Sequence, residues 1–210
     1  MTVVKNEKPA ARPRGRPRAF DRDEALAKAA ETFWALGYEG ASIADLTTAM
    51  GITPQSLYAA FFSKADLYRE ALGWYQANIG AAAGCALDEE PDAVAALSRV
   101  LRDSAAEFAR PGRPRGCMVS TAVLTCAVEN ASVAHHVSDL RGMTLDAIRT
   151  RIERGLEEGQ LRADVDPAPL ARFVGAMIQG MSVQARDGAG EDALLALAAH
   201  AIAHLESLRP

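Results

Sequence analysis

Cysteine is scarce in this sequence, and the placement of the few cysteines excludes two common uses. The chain has three, Cys85, Cys117 and Cys126, an odd number without any C-x-x-C pair. A disulfide framework uses an even set of cysteines, and a zinc ribbon uses closely spaced pairs. The sequence therefore indicates neither, and it fits a reducing compartment.

Long apolar runs and aromatic residues are also few. The longest apolar stretch, residues 79–87, is too short to span a bilayer, and residues 1–10 lack the apolar core of a signal peptide. We therefore expect a cytoplasmic protein with no membrane partner. Aromatic residues make up 6% of the chain, whereas alanine, the strongest helix former, is abundant. Composition thus favours an all-α fold without strands.

No arrangement of residues indicates an enzyme. A Ser/His/Asp order and a nucleophile elbow are both missing from the sequence. His200 and His204 have the four-residue spacing of a two-histidine metal site, but the next position is alanine where a metalloprotease helix has glutamate. We expect no catalytic residue, no metal and no cofactor. A thiol- or metal-dependent enzyme would have to use Cys117 or this histidine pair.

Charge is distributed unevenly along the chain. The net charge is −4, yet residues 1–20 carry one glutamate, Glu7, and six cationic side chains: Lys5, Lys8, Arg12, Arg14, Arg16 and Arg18. Such a basic arm, rich in proline and glycine, is expected to be disordered and to bind nucleic acid. Its Arg-Gly-Arg core resembles an AT-hook, which predicts that Arg14 and Arg16 enter the minor groove. The alternative is a solvated tail.

Capping residues mark the first helices. Asp21 and Glu24 form a capping-box-like start, and Gly37 ends that helix. Start and stop signals then predict two short helices, residues 43–50 between Ser42 and Gly51, and residues 54–61 after Thr53. Two short helices joined by residues 51–53 are the outline of a helix-turn-helix.

The rest of the chain is predicted to be helical. Ser63 caps a fourth helix that runs to about Gly84 and is long enough to connect a small head to a larger body. Breaks rich in proline, glycine and aspartate separate the further helices. We predict these near residues 91–109, 117–128, 132–158, 167–186 and 191–207.

The second short helix has two distinct faces. Leu57 and Phe61 point inward on a helical wheel, whereas Gln55, Ser56 and Ala59 point outward. Amide, hydroxyl and methyl groups suit the reading of base edges in a major groove. Phosphate contacts are predicted for Ser42, Tyr58 and Lys64 and for the N-termini of both short helices.

Several segments together carry a family resemblance: residues 33–37, 42–46, 51–53 and 57–58, and above all Phe61-Phe-Ser-Lys-Ala-Asp-Leu67. This combination, spanning residues 21–68, resembles the N-terminal signature of the tetracycline-repressor (TetR) family. The resemblance implies a homodimer whose recognition helices enter successive major grooves of a palindromic double-stranded DNA operator. It also implies a C-terminal helical domain that binds a small-molecule effector. The DNA contacts it implies are Ser42, Thr53, Gln55, Ser56, Tyr58 and Lys64.

We accordingly predict three parts: a basic arm (1–20), a three-helix DNA-binding head (21–68), and an effector-binding and dimerisation domain (69–210) reached through a long helix. By resemblance the last two helices, with Gly175, Gly180 and many alanines, form the dimer interface. Residues predicted to line an effector pocket, with plain core packing as the alternative for most, are Phe108, Cys117, Met118, Leu124, Met143, Met177 and Met181.

The function predicted from these features is a ligand-responsive transcriptional repressor. One alternative is an architectural DNA-binding protein that uses arm and helix-turn-helix without an effector. Another is a regulator that senses oxidants or electrophiles through Cys117, since Arg113 and Arg115 precede it and it stands at the predicted start of a helix. Burial of Cys117 as a small apolar residue is the competing interpretation.

Overall fold

The computed structural model describes residues 20–210, which form a helical protein without strands. Arg14, Arg16 and the rest of the arm up to Ala19 lie outside the described residues. Within the described range, no helix combines the length and apolar character needed to cross a membrane. The helices are α1 (Arg22–Gly40), α2 (Ile43–Met50), α3 (Pro54–Phe61), α4 (Lys64–Tyr75), α5 (Ala81–Glu89), α6 (Ala93–Phe108), α7 (Ala131–Glu157), α8 (Pro167–Arg186) and α9 (Glu191–Glu206).

Helices α1 to α4 form the head, and their ends follow the capping signals. Asp21, Ser42, Thr53 and Ser63 each accept a backbone N–H at the start of their helix, and Gly51 ends α2 in the left-handed conformation. Gly37, with φ +75°, interrupts the regular geometry of α1 although the helix continues to Gly40. The predicted helix-turn-helix is thus confirmed to the residue, because local caps determine its ends.

The connecting helix differs from the prediction at its far end. It does not stop near Gly84: α4 passes at Gln76 into a five-residue π-helical segment, Gln76–Gly80, and the chain continues as α5 to Glu89. A π segment widens the helix by one residue per turn and is often found beside functional sites. Here it borders the cavity described below.

Helices α5 to α9 form the body around α6. The apolar face of α6 is buried against α5, α8 and α9, and the core side chains there include Leu97, Leu101, Ile152 and Leu205. The predicted helices near 91–109, 132–158, 167–186 and 191–207 correspond to α6, α7, α8 and α9. This packing brings α7 and α8 alongside α6 and leaves a space between them.

The predicted helix at residues 117–128 is wrong: residues 118–123 form turns, and a short 3₁₀ helix covers Val128–Asn130. Backbone carbonyls and amides that would hydrogen-bond to each other in an α-helix have side-chain partners here. The Nη1 of Arg141 on α7 donates to the carbonyls of Val119 (3.4 Å) and Ala122 (2.9 Å). Val123 has φ +48°, which also interrupts a helix. Contacts distant in sequence therefore override the local helix propensity.

Candidate DNA-binding surface and ligand cavity

The inner face of α3 fixes this helix against the head. Leu57 and Phe61 are fully buried, as the helical wheel predicts. The guanidinium of Arg22 at the start of α1 lies 4.4 Å from the centre of the Phe61 ring and forms an ion pair with Glu70 of α4 at 2.7 Å. Arg22 thus connects α1, α3 and α4, a set of contacts that sequence patterns did not reveal because the partners are distant along the chain.

The outer face of α3 presents small polar and apolar groups to solvent. Gln55, Tyr58 and Ala59 are exposed, and Ser56 is half-buried. Tyr58 keeps 47% of its surface accessible. An exposed helix face of about this width fits a major groove, where an amide reads adenine and a methyl group contacts thymine. The structure therefore brings together on one surface the residues that the sequence predicted to read bases.

Two of the hydroxyls predicted to contact DNA, those of Ser42 and Thr53, also cap helices. Ser42 Oγ accepts from the Asp45 amide at 3.1 Å and donates to the Asp45 carboxylate at 2.6 Å. Thr53 Oγ1 accepts from the Ser56 amide at 3.2 Å and lies 3.0 Å from Ser56 Oγ. Both hydroxyls lie at helix N-termini, where the backbone dipole favours an anion. Each cap therefore fixes the start of its helix.

Lys64 has a more enclosed position than its predicted role implied. Its ammonium lies 4.6 Å from the centre of the Tyr38 ring, and burial lowers its pKa while Glu39 opposes this shift. The side chain is half-buried at the start of α4, beside the end of α3. Lys64 thus carries its charge at the edge of the exposed α3 surface, held by an aromatic face.

A residue next to Lys64 has unusual geometry that the sequence did not reveal. Phe62 has φ +62° and ψ −52°, and the Ser63 amide donates to the Phe61 carbonyl at 2.7 Å, which makes a γ-turn. This turn is strained for a residue with a side chain. Phe62 is also 80% exposed, so no burial offsets the strain within the described residues.

A cavity of about 390 Å³ opens in the body between the π segment, α5, α6, α7 and α8. Such a volume suits a small organic molecule. Three of the seven predicted pocket residues line it: Phe108, Cys117 and Met143. The other four do not, since Met118 and Met181 are buried in core clusters, Met177 packs against the body core, and Leu124 is 69% exposed on the loop after α6.

Polar residues of the cavity were missed by the sequence analysis, which looked for apolar side chains. Tyr75, Gln76, Ser104, Arg141 and Gln179 all line it. Burial raises the pKa of Tyr75, which keeps its hydroxyl protonated as a hydrogen-bond donor. Only their convergence in the folded chain identifies these residues, because no motif links positions so far apart.

The two cavity carboxylates already have partners. Asp103 lies 3.4 Å from Arg99, and Glu107 pairs with Arg110 at 2.8 Å and Arg113 at 2.7 Å. Their charges are therefore largely neutralised from outside the cavity.

Cys117 lies in the cavity wall, but not in the setting that the sequence predicted. It does not begin a helix, and Arg113 and Arg115 are directed elsewhere, to Glu107 and to the carbonyl of Ala189. The amides of Val119 and Ser120 instead donate to its Sγ, both at 3.4 Å. The expectation that two arginines and a helix start activate this thiol is therefore wrong.

The wall of the cavity is joined directly to the head. Trp34 of α1 donates from Nε1 to the carbonyl of Gly116 at 3.0 Å, one residue before Cys117. Arg186 at the end of α8 donates to the carbonyls of Trp34 (3.2 Å) and Ala35 (3.3 Å). Met118 and Val119 also belong to the same buried cluster as the head residues. The cavity wall therefore includes part of the segment that holds α1.

Histidine and cysteine do not form a metal site among residues 20–210. No group of three or more His, Cys, Asp or Glu side chains in this range is placed to hold an ion. His204 instead packs edge-on against the ring of Phe173, with centroids 5.3 Å apart.

Comparison with known proteins covers both parts of the chain. A family model described as "Bacterial regulatory proteins, tetR family" matches residues 25–71, and one described as "Tetracyclin repressor-like, C-terminal domain" matches residues 93–205. The HTH-type transcriptional repressor ComR of Escherichia coli (strain K12) is 33% identical over 186 residues, which covers 88% of this chain and 89% of ComR. The repressor BdcR of the same organism is 29% identical over 187 residues, with 89% and 90% covered.

A solved structure gives the same result. A cysteine mutant of the TetR family transcriptional regulator CifR, complexed with a 26-base-pair double-strand operator DNA, is 44% identical with a TM-score of 0.87. The match covers 90% of this chain and 98% of that one. These proteins are regulators of transcription rather than enzymes, and the chain described here belongs to the TetR family of DNA-binding transcriptional regulators.

Proposed function

We propose that this protein is a transcriptional repressor that binds a palindromic operator as a homodimer and releases it when a small molecule enters the body cavity. The observation that carries the proposal is the hydrogen bond from Trp34 to Gly116, which links the cavity wall to the DNA-binding head. The relatives ComR and BdcR are named repressors, and CifR was solved with operator DNA.

The DNA contacts follow from the exposed α3 surface. Gln55, Ser56 and Ala59 face base edges, while Tyr58 and Lys64 contact phosphates at its border. Ser42 and Thr53 position the N-termini of α2 and α3 against the backbone. The arm adds Arg14 and Arg16 in the adjacent minor groove.

The dimer forms through α8 and α9. Small side chains on one face of α9, Ala196, Ala199 and Ala203, are exposed in the single chain, and Val183 of α8 is also 46% exposed. Small residues allow two pairs of helices to approach closely as a four-helix bundle. A symmetric dimer then presents two α3 helices to two half-sites about one helical turn apart.

A second mode of signal reception rests on Cys117. Its sulfur lines the cavity and accepts two backbone N–H groups, so an electrophile that enters the cavity can meet this thiol. Alkylation rates of the three cysteines near neutral pH test this mode. Slow labelling of Cys117, or operator release that persists in Cys117→Ser, leaves reversible binding as the signal.

Repression is tested by placing the DNA upstream of the coding region before a reporter in a heterologous bacterium. The wild-type protein should lower reporter output, whereas a Tyr58→Ala/Lys64→Ala variant should not. Arg102→Ala is the control, because Arg102 is an exposed cation on α6, away from the head. A rise in output with the wild type would make the protein an activator. Equal repression by the double variant would contradict this mode of docking.

A further inference from the structure

A buried arginine lies beside the cavity without a complete set of partners. Arg151 of α7 is 3% exposed, and its Nη2 donates to the carbonyls of Glu90 (3.3 Å) and Pro91 (3.0 Å) and to Gln160 Oε1 (3.4 Å). Its Nε and Nη1 are buried and have no hydrogen-bond partner among the described residues. Buried donors are rarely left unpaired, because burial removes their hydrogen bonds to water and nothing replaces them.

Arg151 also lacks a direct ion pair. No carboxylate within residues 20–210 lies at ion-pair distance from it, while a second cation, Arg154, follows one turn later. The Nε of Arg154 is buried without a hydrogen bond and lies 3.8 Å from Glu158. Burial and the charge of Arg154 lower the pKa of Arg151, while Glu158 and Asp92 oppose this shift. A buried cation is normally paired, so this pair of arginines favours an anion.

These two arginines line a pocket of about 340 Å³ between α5 and α7. Its walls are formed by Gly84, Leu87, Ala147, Thr150, Arg151 and Arg154. Asp88 also borders the pocket, but it is exposed and forms no ion pair with either arginine. Thr150 adds a hydroxyl donor to the arginine N–H groups, a set that suits a carboxylate or a phosphate.

This pocket adjoins the body cavity. Gly84, Leu87 and Ala147 line both spaces, so the two lie side by side. The main cavity is bordered by apolar side chains such as Ile79, Val100 and Phe108, and its own carboxylates are paired with outer arginines. A largely apolar cavity, with Arg141 in its wall, thus lies beside a pocket that holds Arg151 and Arg154.

We infer that the effector is an amphipathic anion, whose apolar body fills the main cavity while its carboxylate or phosphate binds Arg151 and Arg154. This inference rests on the proposed function, because it assigns a chemical class to the effector of that cavity. The headgroup supplies the missing partners of Arg151, and the apolar body extends past Gly84, Leu87 and Ala147 into the main cavity.

The test compares eight-carbon probes that differ in their headgroup: octanoate, octyl phosphate, 1-octanol and octylamine. Binding is measured by calorimetry and by the shift of the melting temperature. The two anions should bind at least tenfold more tightly than the alcohol and the amine, and the better of the two identifies the headgroup. Each methylene added to the chain should improve affinity about fourfold until the cavity is full. Equal binding of 1-octanol and octanoate would overturn the inference.

Three variants locate the site. Arg154→Gln and Arg151→Gln should each remove most of the preference for anions. Arg151 also donates to backbone carbonyls, so Arg151→Gln can prevent folding. In that case the result for Arg154→Gln alone tests the site. Gly84→Leu should hinder a ligand that extends between the two spaces, because Gly84 lines both and a Cβ there meets no atom within 4 Å, which leaves room for a larger side chain. Gly142→Leu is the matched control, since its Cβ is equally unhindered and it lines neither space. An anion preference that survives in both arginine variants would contradict the site.

Operator release is recorded separately with the same probes. If octanoate or octyl phosphate binds with the predicted preference but leaves operator affinity unchanged, the effector class stands and the proposed release mechanism fails. If neither anion binds and the reporter is still repressed, the effector class is wrong while repression stands.

Discussion

Gln55 is the residue whose side chain carries most sequence information in the proposed complex with DNA. It is exposed on α3, one turn before Tyr58 and Ala59, and an amide can form two hydrogen bonds with adenine. Gln55→Ala should weaken binding to the preferred operator by about 1 to 3 kcal/mol and relax the preference at one base pair per half-site. Binding to operators substituted at each position measures this. A uniform loss over all sequences would instead make Gln55 a phosphate contact.

Phe62 gives a test of strain at a single residue. Its φ of +62° is unfavourable for any side chain, and its ring is largely exposed. Phe62→Gly should therefore raise the free energy of unfolding by about 1 kcal/mol, measured by urea denaturation. Phe62→Ala is the control, because it keeps the Cβ and hence the strain. An equal gain in both variants would show that exposure of the ring, not the backbone, is unfavourable.

At the scale of helices, caps explain why part of the fold was predictable. Ser42, Gly51 and Thr53 determine the ends of α2 and α3 through neighbours within five positions, so the sequence alone predicted these ends. The segment after α6 was mispredicted because Arg141, about twenty positions away, binds its carbonyls. The same reason explains why the cavity was predicted only in part. Arg151, in the pocket beside it, becomes a candidate for binding a ligand only when α7 packs against the end of α5.

Asp92 connects the start of α6 to the C-terminus of the chain. It accepts from the Ala95 amide at 2.8 Å and binds Arg209 through two nitrogens, both at 2.9 Å. The hydrogen bonds from Arg209 lower the pKa of Asp92 below its ordinary value of 3.8. Because the pKa of Asp92 is lower in the folded chain than in the unfolded chain, its ionised carboxylate stabilises the fold at pH values above 3.8. This contribution is lost as the pH falls through the lowered pKa.

Asp92→Asn should keep the cap but lose the ion pair. We expect the free energy of unfolding to drop by about 1 kcal/mol at pH 7, and the difference from wild type to shrink below pH 3.8. Urea denaturation at several pH values checks this. Asp164→Asn is the control. Asp164 pairs with Arg162 but is 73% exposed, so loss of this surface ion pair should have little effect. A difference that is constant with pH would rule out the ion pair as its source.

At the scale of the whole molecule, the proposed contacts with DNA are divided between the arm and the head. Deletion of residues 1–18 removes six cations and leaves the α1 cap at Asp21 in place. Operator affinity should fall, and the slope of log affinity against log salt should become shallower by about 0.9 for each phosphate that the arm neutralises in the wild-type complex. Melting of the free protein should be unchanged. An unaltered slope would make the arm a solvated tail.

The central claim, that a dimer reads a palindrome through α3, is tested most directly by selection of binding sites from a random pool of double-stranded DNA. The wild-type protein should enrich one palindromic sequence whose half-sites are about 10 base pairs apart from centre to centre, and two chains should bind it. The Gln55→Ala variant should enrich a sequence that is degenerate at one position in each half-site. Enrichment of A·T-rich DNA without a palindrome would contradict the account and support an architectural protein instead.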